Sequence, residues 1–307
     1  MRFLVAGPGA VGGFVAARLA EGGQDVTVLA RPRRAGQLRD SGLRLASQGG
    51  TRTVRTGVVT ADQLGPGYDA IVLAVRSADL PAVMDDIAPA AGAPTVILPF
   101  LNGMAHVETL AGRFGAAVLG GVIRVVTQVG DGGAIRVLAP GFDVEVGELG
   151  RPPSPRVEEL AAAFREAGAS VTVPGDIIGA MWAKWVFIAS IGAVTSLMRA
   201  PVGDIVAVPG GERFARDVLA EAAATARAAG HPVPGGELRR TEQTLTAAGS
   251  AVTASLSRDL LAGRPAEADV LGDLADRARA AGVPAPLIEA SALTLRVHNR
   301  RVAAARA

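Results

Sequence analysis

Apolar and polar positions fall into alternating blocks along the first half of the chain. Residues 2–6 form a short run of almost wholly apolar side chains, as a strand buried on both faces requires, and a helical period follows from about Ala10 to Glu21. A second apolar run, Asp25 to Ala30, ends at Arg31. Further strand-like runs occupy 53–59, 69–75 and 94–98, with a helical segment near 79–90 between the last two. Strands alternating with helices need right-handed crossovers, so a mostly parallel sheet covered on both faces is expected. From residue 119 to 147 the pattern changes. Runs at 122–129, 134–138 and 142–146 are separated by Gly130-Asp131-Gly132-Gly133 and Pro140-Gly141, which predicts hairpin-connected strands. A proline-rich loop at 151–155, a helix at 156–167 and a last strand at 169–173 complete this half.

After Pro174-Gly175 the strand patterns stop. The remainder reads as helical, with breaks at Pro201, Pro209-Gly210-Gly211, 232–236, 263–265 and 282–286, and the Ala/Arg-rich final residues read as a fraying helix end. The shift predicts two domains, 1–175 and 176–307. The most apolar stretch, 177–198, approaches the length of a membrane span, but Asp176, Lys184 and Arg199 lie in or beside it. A buried core helix is the better expectation, with no contact with a membrane.

Composition narrows the chemistry. Thirty-one basic residues face 29 acidic ones, without a basic block or an aromatic-rich basic stretch, so no nucleic-acid partner is expected. The absence of cysteine excludes disulfides, thiolate nucleophiles and thiolate metal sites, and three scattered histidines, His106, His231 and His298, give no metal-ligand pattern. The chain opens directly on a strand pattern with no charged n-region ahead of an apolar one, so no signal peptide and a cytoplasmic location are expected.

One count matters more. Of the 31 basic residues only Lys184 is a lysine. Arginine holds its proton too tightly to exchange it in catalysis, whereas a desolvated lysine can give one up. Lys184 lies in Met181-Trp182-Ala183-Lys184-Trp185-Val186-Phe187, flanked by the only two tryptophans of the chain. Burying an ammonium there without a task would cost roughly several kcal/mol, so Lys184 is the leading candidate for a proton donor.

Gly7-Pro8-Gly9-Ala10-Val11-Gly12 follows a strand and opens a helix within one βαβ unit, the context that a dinucleotide loop requires. Gly7 would allow the tight turn, Gly9 the approach of a pyrophosphate to bare backbone, and Gly12 the close packing of helix on strand. The free amides at the helix start would face the phosphates. The fold class predicted is therefore α/β, an N-terminal Rossmann-type doubly wound sheet with a C-terminal all-helical domain. Where an NAD site would place a carboxylate at the end of the second strand, the chain has Ala30-Arg31-Pro32-Arg33-Arg34. A guanidinium there suits the 2′-phosphate of NADP, with Arg31 the first candidate and Arg33 and Arg34 explicable as solvated helix-start charges.

Over nearly its whole length the chain resembles the ketopantoate reductases (2-dehydropantoate 2-reductases). The resemblance is carried by Gly7 to Gly13, by Leu101-Asn102-Gly103-Met104, by Trp182-Ala183-Lys184, and by Ser255-Leu256-Ser257-Arg258-Asp259 with Ala266-Glu267-Ala268-Asp269 beyond it. It implies hydride transfer from NADPH to the ketone of a 2-oxo acid, 2-dehydropantoate first among them and pantothenate synthesis the pathway, in a cleft between the two domains of a homodimeric enzyme. Lys184 then matches the general acid, Asn102 the amide bridging cofactor and substrate, Glu267 the carboxylate that holds substrate hydroxyl and lysine, and Ser255 the hydroxyl that receives the substrate carboxylate. Without the resemblance, turn and cap duties would explain Asn102 and Ser255, and Glu267 could be a helix-dipole residue. Two positions depart from the family pattern. Arg76 stands where a lysine is common, which keeps a cation near the cofactor phosphate. Ile188 and Gly192 stand where substrate-contacting asparagines are usual, so the substrate pocket lining Ile188 suits a bulkier or less polar ketone, or an imine.

Two other assignments compete. β-Hydroxyacid dehydrogenases share the glycine loop and a helical lysine, but would want a Ser-Gly-Gly-like loop near residue 120 and an asparagine one turn past the lysine. The chain has Leu119-Gly120-Gly121-Val122 and Ile188 instead. A non-catalytic NADPH sensor on the same scaffold would not need the proton donor that Lys184 supplies.

Overall fold

A computed structural model describes residues 1–305. The last two residues of the expected fraying end lie outside them. In chain order the elements are β1 (Arg2–Ala6), α1 (Ala10–Glu21), β2 (Asp25–Leu29), α2 (Pro32–Ser41), β3 (Leu43–Ser47), β4 (Gly50–Val54), β5 (Gly57–Val59), β6 (Ala70–Leu73), α3 (Leu80–Ile87), β7 (Val96–Pro99), α4 (Ala105–Phe114), β8 (Leu119–Arg124), β9 (Thr127–Val129), β10 (Ile135–Val137), β11 (Asp143–Glu148), α5 (Pro155–Glu166) and β12 (Ser170–Thr172). Helices alone follow: α6 (Ile177–Met198), α7 (Val202–Val206), α8 (Gly211–Ala228), α9 (Gly235–Leu245), α10 (Ser255–Leu261), α11 (Asp269–Ala280) and α12 (Pro286–Ala304). The α/β architecture with an all-helical C-terminal part is as the pattern predicts.

The chain divides into two compact units. The first holds Met1–Leu101 and His106–Ile178, the second Asn102–Ala105 and Gly179–Ala307. At the centre of the first lies a five-stranded parallel sheet of order β5-β2-β1-β6-β7. Of its central strands β6 is apolar at every position and β1 at all but its exposed first residue, Arg2, because both faces are covered. Phe3 and Val5 of β1, with Ala70 and Val72 of β6, enter one core, while Leu4 and Ala6 with Ile71 and Leu73 enter the other. In the first core Phe164 of α5 meets Phe3, Phe100 and Phe142 edge-on, with centroids 5.9–6.3 Å apart. Such pairs add about 0.5–1.5 kcal/mol each beyond their buried area.

Two smaller sheets flank this one, β4-β3-β10-β9 and β12-β11-β8. They correct two of the expected strands. The run at 53–59 breaks at Arg55-Thr56, so that β4 pairs antiparallel with β3 while β5 forms the edge of the parallel sheet. The run at 122–129 breaks after Arg124, and β8 and β9 join different sheets. Val125 and Val126 carry the apolar run across the second break, and the two polar residues at the first are of a kind that an exposed strand also holds, so hydropathy alone hides the change of partner. The β3 strand and α4 go beyond the predicted elements, although β3 buries Leu43 and Leu45 at a period of two.

A carboxylate clamp closes the end of β11. Glu148 is buried and accepts from Arg156 Nε at 2.7 Å, Arg156 Nη2 at 2.6 Å and Ser154 Oγ at 2.6 Å. The Arg156 guanidinium holds the Glu148 carboxyl below the usual carboxylate range, and its hydrogen bond to Glu148 raises its own pKa in turn. Arg156 Nη2 also donates to the carbonyl of Ala116, at 2.8 Å, which ties the start of α5 to the turn after α4.

In the second unit α6 is the long apolar helix. By length and composition it could cross a membrane, but 67% of its 18-residue apolar stretch is buried inside the structure, as a core helix is. α8, α11 and α12 pack on one another. Glu221 of α8 accepts the backbone N–H groups of Leu287 and Ile288 at 3.0–3.2 Å, capping the first turn of α12 from outside. Burial nevertheless pushes the Glu221 carboxyl above its ordinary range.

Candidate active site

The glycine loop lies at the C-terminal ends of the parallel strands, between β1 and α1. Gly7 adopts φ +88°, and a Cβ there would stand 2.6 Å from Val75 Cγ1 and 2.7 Å from the Ala74 carbonyl. A Cβ on Gly12 would overlap the Gly7 carbonyl oxygen and lie 2.9 Å from Ala74 Cβ. Gly9 is different. Nothing lies within 4 Å of where its Cβ would be, so no protein packing demands a glycine there. Gly9 is also the N-cap of α1, with no side-chain cap and no acidic residue in the first turn. The helix therefore begins with amide donors unmasked by side chains, beside open space on bare backbone, and Pro8, Ala10 and Val11 are only half-buried around them. The loop fits the pyrophosphate of a dinucleotide.

Arg31 and Arg76 leave the sheet on opposite sides of β1, Arg31 at the N-cap of α2 beyond β2 and Arg76 beyond β6. Both reach Asp79: Arg31 Nη2 lies 2.6 Å from Oδ1 and Arg76 Nε 3.5 Å from Oδ2. The sequence shows no carboxylate at the end of β2, and the fold brings one in from the β6 side. The only local signal for it is the spacing of Arg76 and Asp79, three residues apart. Arg33 is exposed, but Arg34 is not a simple solvated charge. It is half-buried, donates to the Gly133 carbonyl at 3.1 Å, and burial together with Arg44 lowers its pKa.

In the second unit Lys184 lies on α6, half-buried between the buried side chains of Ala183 and Trp185. Asn102, the first residue of the short segment that belongs with this unit, donates from Nδ2 to Glu267 Oε2 at 3.3 Å. Glu267 lies in the turn ahead of α11, where its carbonyl accepts from Val270 N at 3.3 Å. Trp185 Nε1, one residue from Lys184, donates to the Val270 carbonyl at 2.9 Å. A Cβ built on Gly103 would lie 3.8 Å from the same nitrogen. Trp185 is thus a fully buried strut holding the lysine helix, the Glu267 turn and the Asn102 segment together. The sequence marks it only as a neighbour of Lys184. Arg277 stacks over it at 5.8 Å.

Ile188 and Gly192 follow Lys184 at one and two helical turns. Ile188 is half-buried, and a Cβ on Gly192 would meet Leu256 Cδ1 at 2.8 Å. The Leu256 side chain of α10 therefore fills the space beside Gly192. Ser255 is the exposed first residue of α10, whose start is fixed to α6 by Ala254 N donating to Thr195 Oγ1 and Ser257 Oγ donating to the Thr195 carbonyl.

Residues 3–151 match the family model "Ketopantoate reductase PanE/ApbA", and residues 176–298 match "Ketopantoate reductase PanE/ApbA C terminal". The chain belongs to the ketopantoate reductase family. Uncharacterized oxidoreductase YkpB of Bacillus subtilis (strain 168) is 31% identical over 97% of this chain and 99% of its own length. The 2-dehydropantoate 2-reductase of Mesorhizobium japonicum is 31% identical, with 94% and 95% covered. Among solved structures, a PanE/ApbA family ketopantoate reductase from Ralstonia eutropha JMP134 superposes with a TM-score of 0.87 at 26% identity, covering 98% of this chain and 99% of that one. This chain is thus an oxidoreductase of the ketopantoate reductase family, and the resemblance seen in its motifs extends through both units.

Proposed function

We propose that this ketopantoate reductase family member reduces a 2-oxo acid to the 2-hydroxy acid with NADPH, 2-dehydropantoate to pantoate being the first candidate, as a cytoplasmic homodimer serving pantothenate synthesis. The observation that carries the proposal is the Asn102–Glu267 pair, braced by Trp185 against the helix that bears Lys184. Reduction of a ketone needs a proton donor tuned towards neutrality and a fixed partner to orient it. Lys184 is the donor to the ketone oxygen, Glu267 orients the lysine and a substrate hydroxyl, Asn102 bridges cofactor and substrate, and Ser255 receives the substrate carboxylate. The Gly7–Gly12 loop with Pro8, Gly9, Ala10 and Val11 would hold the pyrophosphate, and Arg31 and Arg76 the 2′-phosphate. When bound, the nicotinamide would supply the hydride. The activity named for the Mesorhizobium relative supports this substrate.

Ile188 and the Leu256-filled space at Gly192 favour a second substrate class, bulkier or less polar ketones. NADPH consumption against a panel of 2-oxo acids decides between the two, with Lys184→Arg alongside. The variant keeps the charge but cannot release the proton, so kcat should drop by about a hundredfold or more while the melting temperature holds. Near-full kcat in Lys184→Arg would remove the proton-donor role. Turnover of bulky ketones without turnover of 2-dehydropantoate would replace the first substrate class by the second.

A further inference from the structure

We infer that Asp79 is a specificity-determining residue that moderates the preference for NADPH and admits NADH, an inference that rests on the assignment of Arg31 and Arg76 to the 2′-phosphate. Asp79 ends a short 3-10 turn, locked by its amide donating to the Arg76 carbonyl at 2.9 Å, and occupies the N-cap position of α3. An aspartate at an N-cap ordinarily accepts from the first turn of its helix. This one makes no such bond. Its carboxylate instead spans the two guanidinium groups, one oxygen to each. Arg31 and Arg76 are 79% and 60% exposed and Asp79 only 26%, so the carboxylate is the anchored partner and the arginines come to it.

The consequence follows from charge. Arg31 and Arg76 flank the strand whose glycine loop suits the pyrophosphate, so the adenosine ribose falls to their end of the site. A 2′-phosphate arriving there must displace a carboxylate that already pairs with both cations and cancels one of their two charges, and stays close to it afterwards. A free ribose meets a different surface, because Asp79 can accept its hydroxyl donors as the acid at the end of β2 does in other dinucleotide sites. The same residue therefore weakens one cofactor and retains the other.

The test is direct binding to the unliganded protein, with no substrate and no turnover. NADPH and NADH are titrated by calorimetry against wild type, Asp79→Asn and Arg31→Ala. Asp79→Asn should raise the ratio of Kd for NADH to Kd for NADPH about tenfold, a difference of about 1.4 kcal/mol. Arg31→Ala should weaken NADPH and leave NADH nearly unchanged. If Arg31→Ala behaves so but Asp79→Asn keeps the wild-type ratio within twofold, the role of Asp79 is overturned while the phosphate assignment stands. If Arg31→Ala leaves NADPH binding intact, the phosphate assignment falls and the role of Asp79 with it.

Discussion

Gly9 and Gly12 lie three residues apart in one loop, yet their alanine variants should fail for opposite reasons. In Gly12→Ala the new methyl overlaps the Gly7 carbonyl oxygen and crowds Ala74 Cβ at 2.9 Å. A backbone oxygen cannot swing aside as a side chain can, so α1 must lift from β1. Overpacking of this kind costs about 1–3 kcal/mol. The gain from alanine over glycine inside a helix returns no more than about 1 kcal/mol. Because the clash is with backbone the upper end of that cost applies, and a net loss of about 2 kcal/mol is expected, a fall in melting temperature of several degrees at roughly 2–4 °C per kcal/mol. Gly9→Ala meets nothing within 4 Å, at φ −83°, so the fold should melt as wild type does. The same methyl stands where the pyrophosphate is proposed to approach, and cofactor affinity should fall at least a hundredfold. Thermal melts of the unliganded proteins, paired with NADPH titrations, separate the two effects. Wild-type cofactor affinity in Gly9→Ala would refute the assignment of that open space to a phosphate, and an unchanged melt in Gly12→Ala would refute the packing argument.

Trp185→Phe should cost about 2–4 kcal/mol, about 1 from the lost bond to the Val270 carbonyl and the rest from the space left in a site that is 1% exposed. It should lower kcat while cofactor Kd, measured alone, stays at the wild-type value; equal losses in both would mean general loosening, not misplacement of Glu267 and Lys184. The Glu148 carboxyl is held below its ordinary range, so its stabilising contribution is complete above the unfolded carboxylate pKa and is lost as pH falls through the lower folded value. Arg156→Met leaves that buried carboxylate with Ser154 as its remaining side-chain donor, at a cost of about 3–5 kcal/mol near neutral pH. Protonation then relieves the charge, and chemical denaturation of the variant should show stability rising as pH is lowered towards 5. A pH profile parallel to that of wild type would show that Arg156 is not what holds Glu148 charged.

The central sheet was legible because β1, β6 and β7 are buried on both faces, and continuous apolar runs between helical periods have few other solutions. The edges were harder. After Arg124 the chain changes sheets without a glycine or proline to mark the event, and at Arg55-Thr56 the one mark is Gly57 at the start of β5, since partner choice is set by tertiary pairing. Lys184 was conspicuous because arginine occupies every other basic position. Asp79 was not, since its role arises only when Arg31, nearly fifty residues earlier, is folded against it. Trp185 falls between these cases: its burial could be foreseen from its apolar neighbours, but its bond to the Val270 carbonyl depends on where α11 begins.

The placement of Asn102–Ala105 with the helices has a consequence for shuffling these enzymes. The backbone passes between the two bodies at three points, after Leu101, after Ala105 and after Ile178. A chimera joined only near residue 178 would take its lysine, glutamate and pocket-lining residues from one parent and Asn102 from the other. The Asn102–Glu267 bond would then join residues of different ancestry. Exchanging substrate preference between relatives calls for a second, four-residue transplant, and the helical part of such a reductase is inherited as two pieces of sequence.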